Sequence, residues 1–225
     1  MRVVRGRADS LAADRDRTAT MIERAVERDE PALRVWTPYP QVAFGRRDAR
    51  AEGYERAREA AERRGFQPVE RDVGGRAVAF TGSTLSVVHA VPGGDRTAIQ
   101  ERYDRATERY RRALAAVGVD AQDGEPAGSF CPGTHSLQAR GKIVGLAQRV
   151  RRDVAVVAGV LVVRDHDRIA EVLAPIYDAL GVAFDPASVG SVARAGQRAD
   201  PDAVAEAVVS AYGAGDDPVV RVRET

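Results

Sequence analysis

The sequence predicts an α+β domain organised around a central sheet, and three observations carry that prediction. Between residues 99 and 117, Ile99, Tyr103, Ala106, Tyr110, Ala113, Leu114 and Val117 repeat at three- and four-residue steps, the period of an amphipathic helix. The run "VAVVAGVLVV" (154–163) is apolar and β-branched over ten residues, which fits a strand buried on both faces. "HSLQARGKIVGLAQRV" reads as a hairpin turning near Arg140-Gly141. Helices mixed with antiparallel hairpins favour an α+β arrangement over a doubly wound one.

Each element follows from local pattern. The first 30 residues are expected to be helical, with Leu11, Met21, Ile22, Ala25 and Val26 as a partial stripe ending before Pro31. "ALRVWTPYPQVAF" reads as extended segments broken by two prolines, because X-Pro pairs favour β or turn geometry. "YERAREAAERRG" predicts a short helix closed by Gly65. "QPVERDV" and "AVAFTGSTLSVVHAV" are strand-like. The helix after "PGGD" closes at Gly118. Ile169, Val172, Leu173 and Ile176 mark a further helix, and residues 201–212 a last one.

Composition narrows the function. A chain of 225 residues suffices for one domain, expected here as residues 1–225. Its net charge of +1 advertises neither nucleic acid nor an anionic membrane as a partner. The start is charged throughout and lacks a signal-peptide core, and ten apolar residues fall far short of a bilayer span. A cytoplasmic protein is expected. The one cysteine forms no intrachain disulfide, no Cys/His cluster has zinc spacing, and neither GxGxxG nor GxxxxGK[ST] occurs. No metal site is expected.

The informative stretch is "SFCPGTHSLQARGKIVGLAQR" (129–149), which holds the only cysteine, Cys131, and the only lysine, Lys142. The other 33 basic residues are arginine. Lys142 reads either as an exposed turn lysine that survived a drift towards arginine or, because the two types interchange freely at exposed sites, as a place where the broad, permanently charged guanidinium does not fit. Cys131 reads either as a small buried hydrophobe or, because "CPG" is turn chemistry, as a surface thiol activated by a nearby lysine. In "ERDVGGRAV" (70–78), two glycines between Arg71 and Arg76 form either a plain hairpin connection or a close approach of backbone to ligand. His89 and His166 read as structural, and His135, four residues from Cys131, as a weak candidate base.

Taken together, "LRVWTPYPQVAFGRRD", "ERDVGGRAV" and "GKIVGLAQR" resemble three motifs of the biotin/lipoate A/B protein ligase family, in family order, over roughly residues 10–180. The resemblance is to its lipoate/octanoate branch. It implies a central mixed or antiparallel sheet flanked by helices, like a class II synthetase core. It also implies that Lys142 contacts an acyl carbonyl and that Arg71, Gly74, Gly75, Arg76, Gly145 and Gln148 bind substrate. "SFCPG" is similar to the cysteine-dependent octanoyltransferases and amidotransferases, in which the cysteine carries the acyl group. On that reading the catalytic pair is Cys131 and Lys142, with Lys142 favouring the thiolate and then stabilising the oxyanion. The acyl chain lies in an apolar tunnel beside Gly74 and Gly75, and no cofactor is required.

The implied partners are octanoyl- or lipoyl-carrier domains, such as the glycine cleavage H protein and the lipoyl domains of 2-oxoacid dehydrogenases. The alternative is the catalytic part of an ATP-dependent lipoate ligase, needing ATP and Mg and forming an acyl-adenylate. Two departures favour the transferase: Arg76 replaces the third glycine of the ligase pattern, and "AFTGST" replaces its His-Asp-x-Gly-Asn stretch. Nothing after residue 213 leaves room for the ligases' accessory domain, although that domain is in some cases a separate chain. Glu70 replaces the first arginine of the family's RR pair. A third reading, a non-catalytic relative that binds carrier domains or acyl chains, sits poorly with the retained lysine and cysteine.

Overall fold

The computed structural model of the chain describes residues 1–71, 75–196, 199–213 and 219–221. Its strands are β1 (Arg2–Arg5), β2 (Ala32–Trp36), β3 (Gln41–Phe44), β4 (Gln67–Glu70), β5 (Val78–Phe80), β6 (Thr84–Pro92), β7 (Gln122–Asp123), β8 (Ser136–Gln138), β9 (Lys142–Val150), β10 (Val154–Val162) and β11 (Val219–Arg221). Its helices are α1 (Leu11–Glu27), α2 (Tyr54–Glu62), α3 (Ile99–Ala116), α4 (His166–Ala179) and α5 (Pro201–Ala211).

Eight strands form the main sheet in the order β11-β1-β2-β6-β10-β9-β8-β7. β1 runs parallel to both β11 and β2, and the other pairs of this sheet are antiparallel, so the sheet is mixed as expected. A second sheet, β4-β3-β5, stands apart. Strand alternation splits the main sheet's residues between two layers. Val3, Leu33, Val35, Leu85 and Val87 pack with Tyr110, Leu114, Val204 and Val208 of α3 and α5. Val4, Ala32, Val88 and Ala90 face Met21 and Ala25 of α1. A third cluster joins the small sheet to α2 and α4 through Phe44, Ala57, Ala61, Val78, Ile169, Leu173 and Tyr177.

Two sequence expectations change. The first 30 residues are not one helix: α1 starts at Leu11, where the Ser10 side chain accepts from Ala13 N–H, and β1 precedes it. A pair of valines carries no periodic signal, yet Val3 and Val4 are buried once β2 and β11 flank them. The strand-like stretch 77–91 is also not continuous. A hydroxyl cluster of Thr81, Ser83 and Thr84 turns the chain from the small sheet into the main one. The predicted hairpin is present, with Arg140 (φ 51°) and Gly141 (φ 122°) in left-handed backbone at its turn.

The candidate acyl-transfer site

Strand register lays out the floor of the site. Ser136 pairs with Gly145, Gly145 with Val160, Val160 with Ser86, and Ala147 with Ala158. Residues two apart on a strand share a face, so these small side chains form one shallow patch of sheet. Above it lies a cavity of about 440 Å³, closed by Arg71, Gly75, Val78 and Phe80 on one side, by loop residues 130–136 on another, and by Tyr103 and Gln148. The wall is mainly apolar, which suits an alkyl chain. Each buried CH₂ contributes about 0.8 kcal/mol.

Lys142, the chain's only lysine, starts β9 and is 1% exposed. Its Nζ donates to Glu125 Oε2 at 2.6 Å, to Phe130 O at 3.0 Å and to Cys131 O at 2.8 Å. An ammonium has three protons, and all three are engaged. Contact with an acyl carbonyl, which the family resemblance implies, therefore requires one of these acceptors to be exchanged. Gly145 stands beside it: a Cβ there would lie 3.3 Å from Lys142 Cε.

Cys131 sits in the cavity wall with φ 41°, a left-handed backbone that non-glycine residues hold only when neighbours fix it. The fixing group is Tyr177. Its hydroxyl accepts from Cys131 N–H at 2.6 Å and donates to Ala77 O at 2.9 Å, so one phenol links the cysteine loop to the segment after Gly75. Burial pushes the Tyr177 phenol well above its ordinary pKa, so the bridge stays neutral. The cation against the sulfur is Arg71, with Nη2 3.3 Å from Sγ. Lys142 reaches Cys131 through its backbone carbonyl and shares its other protons between Glu125 and Phe130 O. Arg71 Nη2 also donates to Arg76 O at 2.6 Å, and its buried Nε–H has no partner among the described residues.

Six of the predicted site residues line this one cavity: Arg71, Gly75, Cys131, Lys142, Gly145 and Gln148. Arg76 faces elsewhere, binding the buried Asp48 at 3.1 Å, and so anchors the glycine segment to the turn after β3. Gly74 lies outside the described residues. Gln148 is held at both ends of its amide, by Arg102 Nε at 2.5 Å and Ile99 O at 3.1 Å, and ties β9 to the start of α3. His135 stacks flat on Tyr103, ring centroids 3.7 Å apart, at the cavity wall. Glu70 receives the Tyr54 hydroxyl at 3.0 Å and is exposed. Sequence reasoning missed Glu125 and Tyr177. Glu125 lies in a Gly-Glu-Pro turn outside every motif, and Tyr177 hides beside Ile176 on the apolar stripe of α4.

The family model of the lipoyl protein ligase A/B catalytic domain matches residues 10–213. The chain belongs to this family. An octanoyl-[GcvH]:protein N-octanoyltransferase of Exiguobacterium sp. is 31% identical over 171 residues, 75% of this chain and 59% of the relative. Its counterpart in Exiguobacterium sibiricum is 33% identical over 134 residues, covering 59% and 49%. The chain thus spans about half the length of the curated relatives it matches. Solved structures share the ligase A/B fold. A lipoate-protein ligase A bound with ATP superposes with a TM-score of 0.75 at 18% identity, covering 99% of this chain and 89% of that one. A bi-partite lipoate protein ligase from Thermoplasma acidophilum gives 0.69 at 17% identity, covering 99% and 87%. Among the described residues no helix is long and apolar enough to cross a membrane.

Proposed function

We propose that this chain is an acyltransferase that moves an octanoyl or lipoyl group onto a lysine of a lipoyl-carrier domain, through a thioester on Cys131. The observation that carries the proposal is the placing of the lone thiol. It stands in the wall of an apolar cavity, 3.3 Å from the Arg71 guanidinium, beside Gly75 and on the loop that Lys142 holds. The names of the similar octanoyltransferases support the same reaction class. The 2-oxoacid dehydrogenase lipoyl domains and the H protein are the acceptors we propose, and no cofactor is needed for this chemistry.

The Cys131 thiol gives up its proton as its sulfur attacks the donor's acyl carbonyl, forming the S–C bond and a tetrahedral oxyanion. The Arg71 guanidinium, whose Nη2 lies 3.3 Å from the sulfur and whose buried Nε–H has no partner among the described residues, is the donor we assign to that charge, and donors of this kind typically contribute about 3–4 kcal/mol. Collapse breaks the bond to the donor's sulfur or nitrogen, which leaves with the proton that Cys131 gave up. The neutral acceptor lysine then attacks the thioester, the S–C bond breaks as the amide forms, and the proton lost by the amine returns to the departing cysteine sulfur. The alkyl chain stays on the small-residue floor throughout.

The test is transfer from an octanoylated carrier to an acceptor lipoyl domain with ATP omitted, followed by the acceptor's mobility shift. Transfer that proceeds without ATP and is abolished in Cys131→Ala supports the reading. Transfer that needs ATP and free acid and survives in Cys131→Ala would replace it with the acyl-adenylate route.

A further inference from the structure

Glu125 belongs to no sequence motif, yet its carboxylate sits at the hub of the cysteine loop. Oε1 accepts from Gly133 N–H at 2.9 Å. Oε2 accepts from the Ser136 hydroxyl at 2.7 Å and from Lys142 Nζ at 2.6 Å. Lys142 passes its two remaining protons to the carbonyls of Phe130 and Cys131. The acid and the base therefore hold the loop on both sides of the nucleophile: residues 130 and 131 through the ammonium, 133 and 136 through the carboxylate.

The pair is also costly to break. Lys142 is 1% exposed and the Glu125 side chain 15%, so removal of either charge strands the other in a poorly solvated place. A surface ion pair would have been worth little. Cys131 needs such support, because its left-handed backbone is favoured only where the surroundings over-determine it.

We propose that Glu125 is a positioning residue for acyl transfer: it fixes Lys142 on the Phe130 and Cys131 carbonyls and fixes Gly133 and Ser136, so that the Cys131 thiol stays at the cavity wall beside Arg71. The proposal rests on the acyl-transfer reading of the site. Glu125 does not touch the reacting atoms and acts through the loop and through Lys142.

One lysine and one cysteine in the whole chain make the test direct, since side-chain amine and thiol reagents each report on one residue by peptide mass. Wild type, Glu125→Gln and Glu125→Ala are treated with an N-hydroxysuccinimide acetate and, separately, with iodoacetamide, and kcat and KM are measured with an octanoylated carrier as donor. In Glu125→Ala the acetylation rate of Lys142 should rise at least about 10-fold and the alkylation rate of Cys131 should change by a similar factor. Its kcat should fall about 100-fold, the scale of a misplacement near 1 Å, while KM for the donor stays within about threefold. Glu125→Gln keeps acceptor oxygen but loses the charge, so it should fall between the two. If Glu125→Ala loses its cooperative melt, Ser136→Ala removes one hydroxyl from the same carboxylate. It should lower kcat several-fold at unchanged KM. Wild-type kcat together with wild-type labelling in whichever of these variants folds would overturn the proposal. A wild-type enzyme that forms no acyl adduct would instead overturn the acyl-transfer reading. The labelling contrast would then still decide whether Glu125 fixes Lys142 and the loop.

Discussion

Replacing Tyr177 by phenylalanine removes one oxygen atom and cuts two links at once. The ring keeps its place against Phe184, with centroids 4.9 Å apart, so little packing changes. What goes is the acceptor of Cys131 N–H and the donor to Ala77 O. Ala77 and the tyrosine are both fully buried, so the stranded carbonyl takes a full penalty; Cys131 is half-buried, and water offsets part of its loss. At about 1–3 kcal/mol for each unsatisfied group, the variant should lose roughly 2–4 kcal/mol. In a chain of this size each kcal/mol moves Tm by about 2–4 °C, which gives a drop of roughly 5–15 °C. The cysteine backbone loses its main restraint as well, and acyl transfer should fall about 10- to 100-fold at temperatures where the variant remains folded. A thermal melt followed by circular dichroism, paired with the ATP-free transfer assay, measures both. A Tm within about 1 °C of wild type with undiminished transfer would refute the claim that the phenol holds Cys131 in place.

Gly145→Ala puts a Cβ 3.3 Å from Lys142 Cε and 3.6 Å from Nζ, so the lysine must give way; a loss of about 1–3 kcal/mol by denaturant titration and a clear fall in transfer are expected. Lys142→Arg places a longer planar head in a site 1% exposed, and transfer should fall at least about 100-fold; near wild-type turnover would show that the site is roomier than described. His89 is held neutral by burial, with Arg109 adding repulsion, and its pKa is lowered to about 4 from 6.5. Between those values the unfolded chain binds more protons than the folded one, so this contribution is complete above pH 6.5 and is lost as pH falls through 4. It amounts to about 3 kcal/mol, and a urea titration series in which His89→Phe shows the same acid sensitivity as wild type would contradict it.

The site was legible where one residue type stood out against the whole chain. Lys142 among 33 arginines and Cys131 as the only thiol required counting, and both line the cavity. Local pattern located α3, β10 and the turn at Arg140-Gly141, because helices and hairpins answer to contacts between near neighbours. The parts that escaped depend on distant partners. β1 is a strand only because residues 32–35 and 219–221 flank it. Arg34, which no local pattern marked, is fully buried over Trp36, 4.1 Å from the ring, and paired with Asp14 of α1. Glu125 and Tyr177 become functional candidates only once the fold sets them against residues 130–142 and 77. A guanidinium in contact with the thiol, that of Arg71, comes from 60 residues away.

An intact mass spectrum of the protein after incubation with an octanoylated carrier, in the absence of ATP, tests the central claim most directly. The account predicts one octanoyl group on the wild-type chain, removed by hydroxylamine, mapped to Cys131 and absent from Cys131→Ala. An unmodified wild-type chain that transfers octanoate only when ATP and the free acid are supplied would contradict it.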